Sequence, residues 1–177
     1  MIYRTRQYGL TFVELLFVAI VSAVVVFSGV IGLKGWVTGW QLDSLTQQLR
    51  SSLDMARNRA VFHRTSVSVC ASDGNKCADS QMDWSSGWMV FSDTNNNGDL
   101  DDSERLIKIF SSLTENVSVR WNRKHLRFNS LGQTADAGSF VVCHYDRDSN
   151  SGKENEGRKV VVSLAGRIRT EDIPFCN

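Results

Sequence analysis

The 177-residue sequence predicts an α+β fold in which one long N-terminal helix, transmembrane in its first half, packs on antiparallel β-sheets. Three observations predict it. Residues 10–33 form a mostly apolar run of 24 residues, enough to span a bilayer. Leu42, Leu45, Leu49, Leu53, Ala56 and Ala60 then recur at intervals of three and four, the stripe of an amphipathic helix. Beyond His63 the period shortens to two, in short apolar runs separated by turn-rich segments.

Composition agrees with one globular domain plus an additional segment. The chain has 20 Lys and Arg against 19 Asp and Glu and is 42% hydrophobic, which excludes a disordered or collagen-like polymer. Proline occurs once, at Pro174, so no Pro-rich linker divides the chain. A formal charge of +1 supplies no global field for a polyanion. The charge is nonetheless partitioned: residues 73–104 carry eight acids and one Lys, and residues 105–127 carry six bases and one acid. A polyanion would therefore have to meet a local patch.

The residues before the apolar run include Arg4 and Arg6 and no acid, so the positive-inside rule keeps them in the cytoplasm and sends the remainder outward. The run is longer than the apolar region of an ordinary secretory signal and lacks its small-residue cleavage site, so removal of the whole segment is not expected. Residues 34–62 continue the same helix, with one face offered to a folded head formed by residues 63–177. Gly29, Gly32, Gly35 and Gly39 weaken the helix between its halves, where a bend or local melting is expected. Strands are expected at 65–71, 87–92, 106–110, 117–121, 126–129, 139–144 and 159–164. Residues 146–157 are polar enough for a surface loop.

Cys70, Cys77, Cys143 and Cys176 make an even count in a compartment that permits disulfides. Of the three pairings, the favoured one joins Cys70 to Cys77 across the Asp73-Gly74-Asn75 turn and Cys143 to Cys176, tying the C-terminus to an inner strand. A zinc site has no support, because paired C-x2-C and His-x3-His spacings are absent.

Glu14 is the odd residue of the apolar run, since a carboxylate in lipid is costly without a partner. Its setting, Gly9-Leu10-Thr11-Phe12-Val13-Glu14-Leu15, resembles the class III signal of type IV pilins and type II secretion pseudopilins. The resemblance implies that residues 1–9 are a leader, that prepilin peptidase cuts after Gly9, and that Leu10 becomes a methylated N-terminus. It also implies that Glu14, fifth in the mature chain, pairs with the terminal amine of a neighbouring subunit during assembly. Leu10 stands where Phe is usual, and the Pro usual in the pilin helix is absent, leaving the four glycines to provide any break.

Further along, 84–93, the Phe128-Asn129-x-x-Gly132 turn, 138–143 and 160–169 look like the GspH/FimT/FimU class of minor pilins and pseudopilins. That resemblance implies a type IV pilin-like GspH fold and a minor pilin held in the bacterial inner membrane, single pass, with its head in the periplasm. The protein would then pass into a pilus at the cell surface, near the tip, to prime assembly and link other minor and major pilins. Two alternatives accompany it: a FimT-like DNA receptor for natural transformation, and a GspH-type pseudopilin of a type II secretion system.

Two segments carry further chemistry. Residues 93–104 match the EF-hand loop pattern, with Asp93, Asn95, Asn97, Asp99 and Glu104 as calcium ligands and Gly98 at the bend, although the flanks read as strands. A solvated acidic turn is the simpler expectation, and no other cofactor is implied. Gly166-Arg167-Ile168-Arg169 resembles the Gly-Arg-x-Arg motif through which FimT-type pilins contact DNA, and alternation puts Arg167 and Arg169 on one strand face. In 120–128 bases interleave with Trp121 and Phe128 as on a nucleic-acid surface, but strand alternation with a buried aromatic face accounts for the pattern. His63, His125 and His144 fall in no nucleophile or metal motif, so no enzymatic activity is expected.

Overall fold

A computed structural model describes residues 11–79, 83–111, 116–144, 157–174 and 176, with the side chains of residues 27–38 left aside. The chain divides into two compact units, Met1–Gly39 and Trp40–Asn177.

One α-helix, α1, runs over Phe12–His63. Thr11 caps its start: Thr11 Oγ1 accepts the Glu14 N–H at 3.4 Å, and the Thr11 carbonyl accepts the N–H groups of Glu14 and Leu15 at 3.1 and 3.2 Å. In the first unit every residue from 11 to 26 is exposed, so this stretch presents apolar side chains all round. No helix among the described residues is long and apolar enough to cross a membrane. The expected span begins at Leu10, outside the described residues, and extends through 27–33, whose side chains are likewise outside them. The helical backbone is uninterrupted from Gly29 to Gly39, so the expected local melting is absent there. Helical hydrogen bonding overrides the modest cost of each glycine.

In the second unit the expected stripe is the buried face of α1: Leu42, Leu45, Leu49, Leu53, Ala56 and Ala60 are each at most 4% exposed. Leu49→Ala would cost about 2–5 kcal/mol through lost burial and the cavity left behind. Thr46 and Ser52 are buried on the same helix, where their hydroxyls donate to the carbonyls of Leu42 and Leu49. Ser52 Oγ also accepts the indole N–H of Trp88 at 2.7 Å, which satisfies a fully buried donor.

The strands are β1 (Val67–Asp73), β2 (Lys76–Cys77), β3 (Gly87–Ser92), β4 (Leu106–Ser111), β5 (Val117–Arg120), β6 (His125–Phe128), β7 (Gly138–His144), β8 (Gly157–Val162) and β9 (Ile168–Ile173). All pairings among the described residues are antiparallel. β1 lies between β3 and β6, with β2 folded back on its end and β4 outside β3; the second sheet runs β5-β7-β8-β9. The helix stripe shares one core with inward residues of both sheets, among them Val69, Trp88, Leu126, Phe140 and Val160. Phe140 is central, stacking on Trp121 at 4.1 Å between ring centroids and meeting the edge of Trp84 at 5.0 Å.

Two strands lie beyond the expected set. β2 has only two residues, too short for a period to register. β9, Ile-Arg-Thr-Glu-Asp-Ile, buries only its first residue, so main-chain pairing with β8 makes it a strand without an apolar alternation. β8 begins at Gly157, two residues before the expected start, and 146–156 of the expected surface loop lie outside the described residues.

Candidate functional site

Glu14 occupies the first turn of α1, where a carboxylate is favoured by the positive end of the helix dipole, and it is exposed among exposed apolar neighbours. Gly9 and Leu10, the expected cleavage pair, lie outside the described residues.

The cysteines pair as Cys70–Cys77 and Cys143–Cys176. The first closes the β1–β2 hairpin, with Gly74 at φ +68° in the turn; the second ties the C-terminal segment to β7. By loop entropy the wider closure contributes about 4 kcal/mol and the hairpin closure about 2.5 kcal/mol.

Two of the family-like segments meet at one point on α1. The Asn129–Gln133 turn places Gly132 at φ +72°, and the Ser163–Arg167 turn places Gly166 at φ +70°. Arg57 of α1 donates from Nε to the Gly132 carbonyl at 3.0 Å, and Thr134 N–H donates to the Leu164 carbonyl at 3.0 Å. Helix, turn and β8–β9 connection are thereby fastened together. Arg57 carries no sequence signal of its own, since an Arg on a helix is ordinarily a solvated charge.

Immediately after Gly166, Arg167 and Arg169 are both exposed, with Ile168 between them turned into the core. Arg169 Nε is held by Glu171 Oε1 at 2.8 Å, one alternation further along β9. The patch at 120–128 is more committed. Trp121 and Phe128 are buried, so neither offers a face to a nucleobase. Arg123 pairs with Asp136 at 3.6 Å, Lys124 with Asp99 at 2.8 Å, and Arg127 donates to the Asn96 carbonyl. The hydrogen bond to Asp99 holds the Lys124 ammonium above its ordinary pKa, against an opposing effect of burial.

Lys124 and Arg127 both anchor the β3–β4 loop, residues 93–104. Asp93 is wholly buried at its start, and its Oδ2 accepts Ser68 Oγ–H at 2.5 Å and Gly98 N–H at 3.1 Å. Gly98 has φ +80° and lies so close to His125 that a Cβ there would overlap the imidazole ring. Leu100 packs on a small second core of Cys70, Met89 and Phe91. Asp101, absent from the expected ligand set, is the hub of the outer loop: its Oδ2 accepts the side-chain amides of Asn95 and Asn97 at 2.6 and 2.8 Å. Its place at an alternate position of the loop was the available signal. Glu104 closes the loop by accepting the N–H of Thr94 at 2.8 Å and that of Asp101 at 3.3 Å. Both carboxylate oxygens of Asp99 face Lys124, at 2.8 and 3.1 Å. Among the described residues no three His, Cys, Asp or Glu side chains gather as a preformed metal cage.

Comparison with known proteins agrees with this architecture. The family model described as "Type II transport protein GspH" matches residues 45–166, which cover α1 from Leu45 onward and the strands through β8. The type IV minor pilin FimU of Pseudomonas aeruginosa strain PAO1 is similar in two crystal forms. One has a TM-score of 0.55 at 20% identity, covering 77% of this chain and 95% of FimU. The other has a TM-score of 0.52 at 22% identity, covering 77% of this chain and 100% of FimU. No curated protein sequence matches. The family match over residues 45–166 establishes that the chain belongs to the GspH family, and the likeness to FimU that it has the fold of a type IV minor pilin.

Proposed function

We propose that this chain is a minor type IV pilin, cut by prepilin peptidase after Gly9, held in the inner membrane by residues 10–33, and incorporated near a pilus tip. The observation that carries the reading is the exposure of every residue from 11 to 26 of α1, with Glu14 the single acid of that stretch. A helix apolar on all sides demands lipid or other helices around it. A single carboxylate within that surface gains from a cationic partner, and the methylated terminus of a neighbouring subunit supplies one.

The head has a linking role in this reading. The expected partners are other minor and major pilins, with the leader peptidase and the inner membrane as earlier contacts. Deleting the gene and restoring it in trans tests the reading: pili counted by electron microscopy should fall and recover, while exoprotein secretion stays unchanged. A secretion defect with normal piliation would instead favour a type II secretion pseudopilin.

One observation favours a second reading, DNA capture. Arg167 and Arg169 are both exposed at the start of β9, within reach of a phosphate backbone. Glu171 opposes it by neutralising Arg169.

A further inference from the structure

We propose that the β3–β4 loop, residues 93–104, is a calcium site built on Asp93, Asn95, Asn97, Asp101 and Glu104, with the main-chain carbonyl of Asp99. The decisive observation is Asp93. Its side chain is 0% exposed, and while Oδ2 accepts two hydrogen bonds, the buried Oδ1 has no hydrogen-bond partner. A buried carboxylate oxygen left without a donor is costly, and a cation satisfies it more fully than a neutral donor can. Two cations already touch the loop, Lys124 at the Asp99 carboxylate and Arg127 at the Asn96 carbonyl, but neither hydrogen-bonds to Asp93 Oδ1.

The remaining donors are within reach of one another. The side-chain N–H groups of Asn95 and Asn97 donate to Asp101 Oδ2 at 2.6 and 2.8 Å, and their Oδ1 atoms accept the N–H groups of Asn97 and Asp99 at 3.1 and 2.9 Å. The three residues thus sit side by side, and each amide oxygen keeps a second lone pair for an ion. Calcium takes six to eight oxygens from carboxylates, amide oxygens and carbonyls in an adaptable geometry. Two asparagines, three carboxylates and a carbonyl therefore form a calcium set, even though they are not a cage of acids alone. Magnesium, which demands a near-octahedral shell and keeps its waters, fits such a set poorly.

The loop also has a rigid base against which an ion can act. Gly98 is wedged on His125, Leu100 is packed on Cys70, Met89 and Phe91, and Cys77 Sγ lies 3.9 Å from the Gly98 carbonyl oxygen. Calcium bound between Asp93 at the base and Asp101 and Glu104 at the rim would staple the rim of the β3–β4 hairpin to this base. Ion binding thus becomes a stabiliser of the outer sheet. The site is independent of the assembly reading, because none of its donors lies on α1.

The test uses the full chain in detergent micelles, stripped with a chelator and titrated with calcium chloride by calorimetry and thermal unfolding. The expected dissociation constant is on the order of 0.1–1 mM, as in extracellular calcium modules. At 10 mM calcium the midpoint should rise by about 5 °C, with a markedly smaller rise in equal magnesium. Asp93→Asn should abolish the response, but that residue is buried and its variant can fail to fold. Asp101→Asn and Glu104→Gln, both half-buried at the rim, should therefore remove the calcium response, read for each variant as its midpoint with calcium against its own calcium-free midpoint. Asp102→Asn, an exposed neighbour, should keep it. Absence of heat and of stabilisation at 10 mM calcium, an equal response to magnesium, or a response that survives both rim variants overturns the proposal. Loss of the response in Asp102→Asn as well would reduce binding to diffuse attraction by acids, and overturns it too.

Discussion

Gly166 and Gly132 approach so closely that a Cβ on Gly166 would overlap the carbonyl oxygen of Gly132, the same oxygen that accepts the Arg57 hydrogen bond. Both residues have positive φ, so glycine is required twice over, for conformation and for space. The contact joins segments 34 residues apart and brings both against a helix residue 75 positions before Gly132.

Gly166→Ala should therefore destabilise the head by more than about 2 kcal/mol, combining backbone strain with displacement of the turn. Gly74→Ala is the matched comparison: its φ is similar, but nothing lies within 4 Å of a Cβ there. It should cost only about 1 kcal/mol. Urea unfolding of the two variants separates the conformational cost from the clash, and equal losses would contradict the fastening described above.

Ser52→Ala should leave the buried Trp88 indole N–H without an acceptor and cost about 1–3 kcal/mol. Trp88→Phe removes the donor instead, at a cost set by packing. In a double-mutant cycle the second change should cost less in the Ser52→Ala background, by about 1 kcal/mol or more. Strict additivity in denaturant unfolding would show that the hydrogen bond carries no coupling.

Gly9→Ala and Glu14→Ala should fail at different stages. Mass spectrometry of the membrane-bound protein should find the leader retained in Gly9→Ala and removed in Glu14→Ala, with Glu14→Ala absent from sheared pili. Cleavage after residue 9 in the Gly9→Ala protein would sink the processing claim.

The DNA reading yields a prediction about Glu171. Because Glu171 holds Arg169 at 2.8 Å, Glu171→Gln should free a cation and strengthen binding to unrelated duplexes several-fold at low salt. Arg167→Gln with Arg169→Gln should weaken binding alike for every sequence and lower the salt slope by about 2. Mobility shifts over a salt series read both effects. Undetectable binding by the unaltered protein at low salt would leave the structural role alone.

Elements coded within a few residues were legible in the sequence. The stripe from Leu42 to Ala60 lies on one helix face because its spacing allows no other arrangement, and β3 at Gly87–Ser92 matches its expected bounds because a short apolar run between turn signals is a local property. The carboxylate at Glu14 and the alternate oxygens of residues 93–104 were legible for the same reason. Tertiary structure alone decided the rest. β9 has little apolar alternation and exists through its pairing with β8, and Arg169 met Glu171 while Lys124 met Asp99; the burial of Trp121 and Phe128, by contrast, follows the strand alternation already visible in the sequence. Only closure of the loop on β1 could show that Asp93 is buried with one oxygen unpartnered. Periodicity encodes which face of an element is buried, but the partner of a charge or a carbonyl depends on segments tens of residues away, brought together when the two sheets close on the helix.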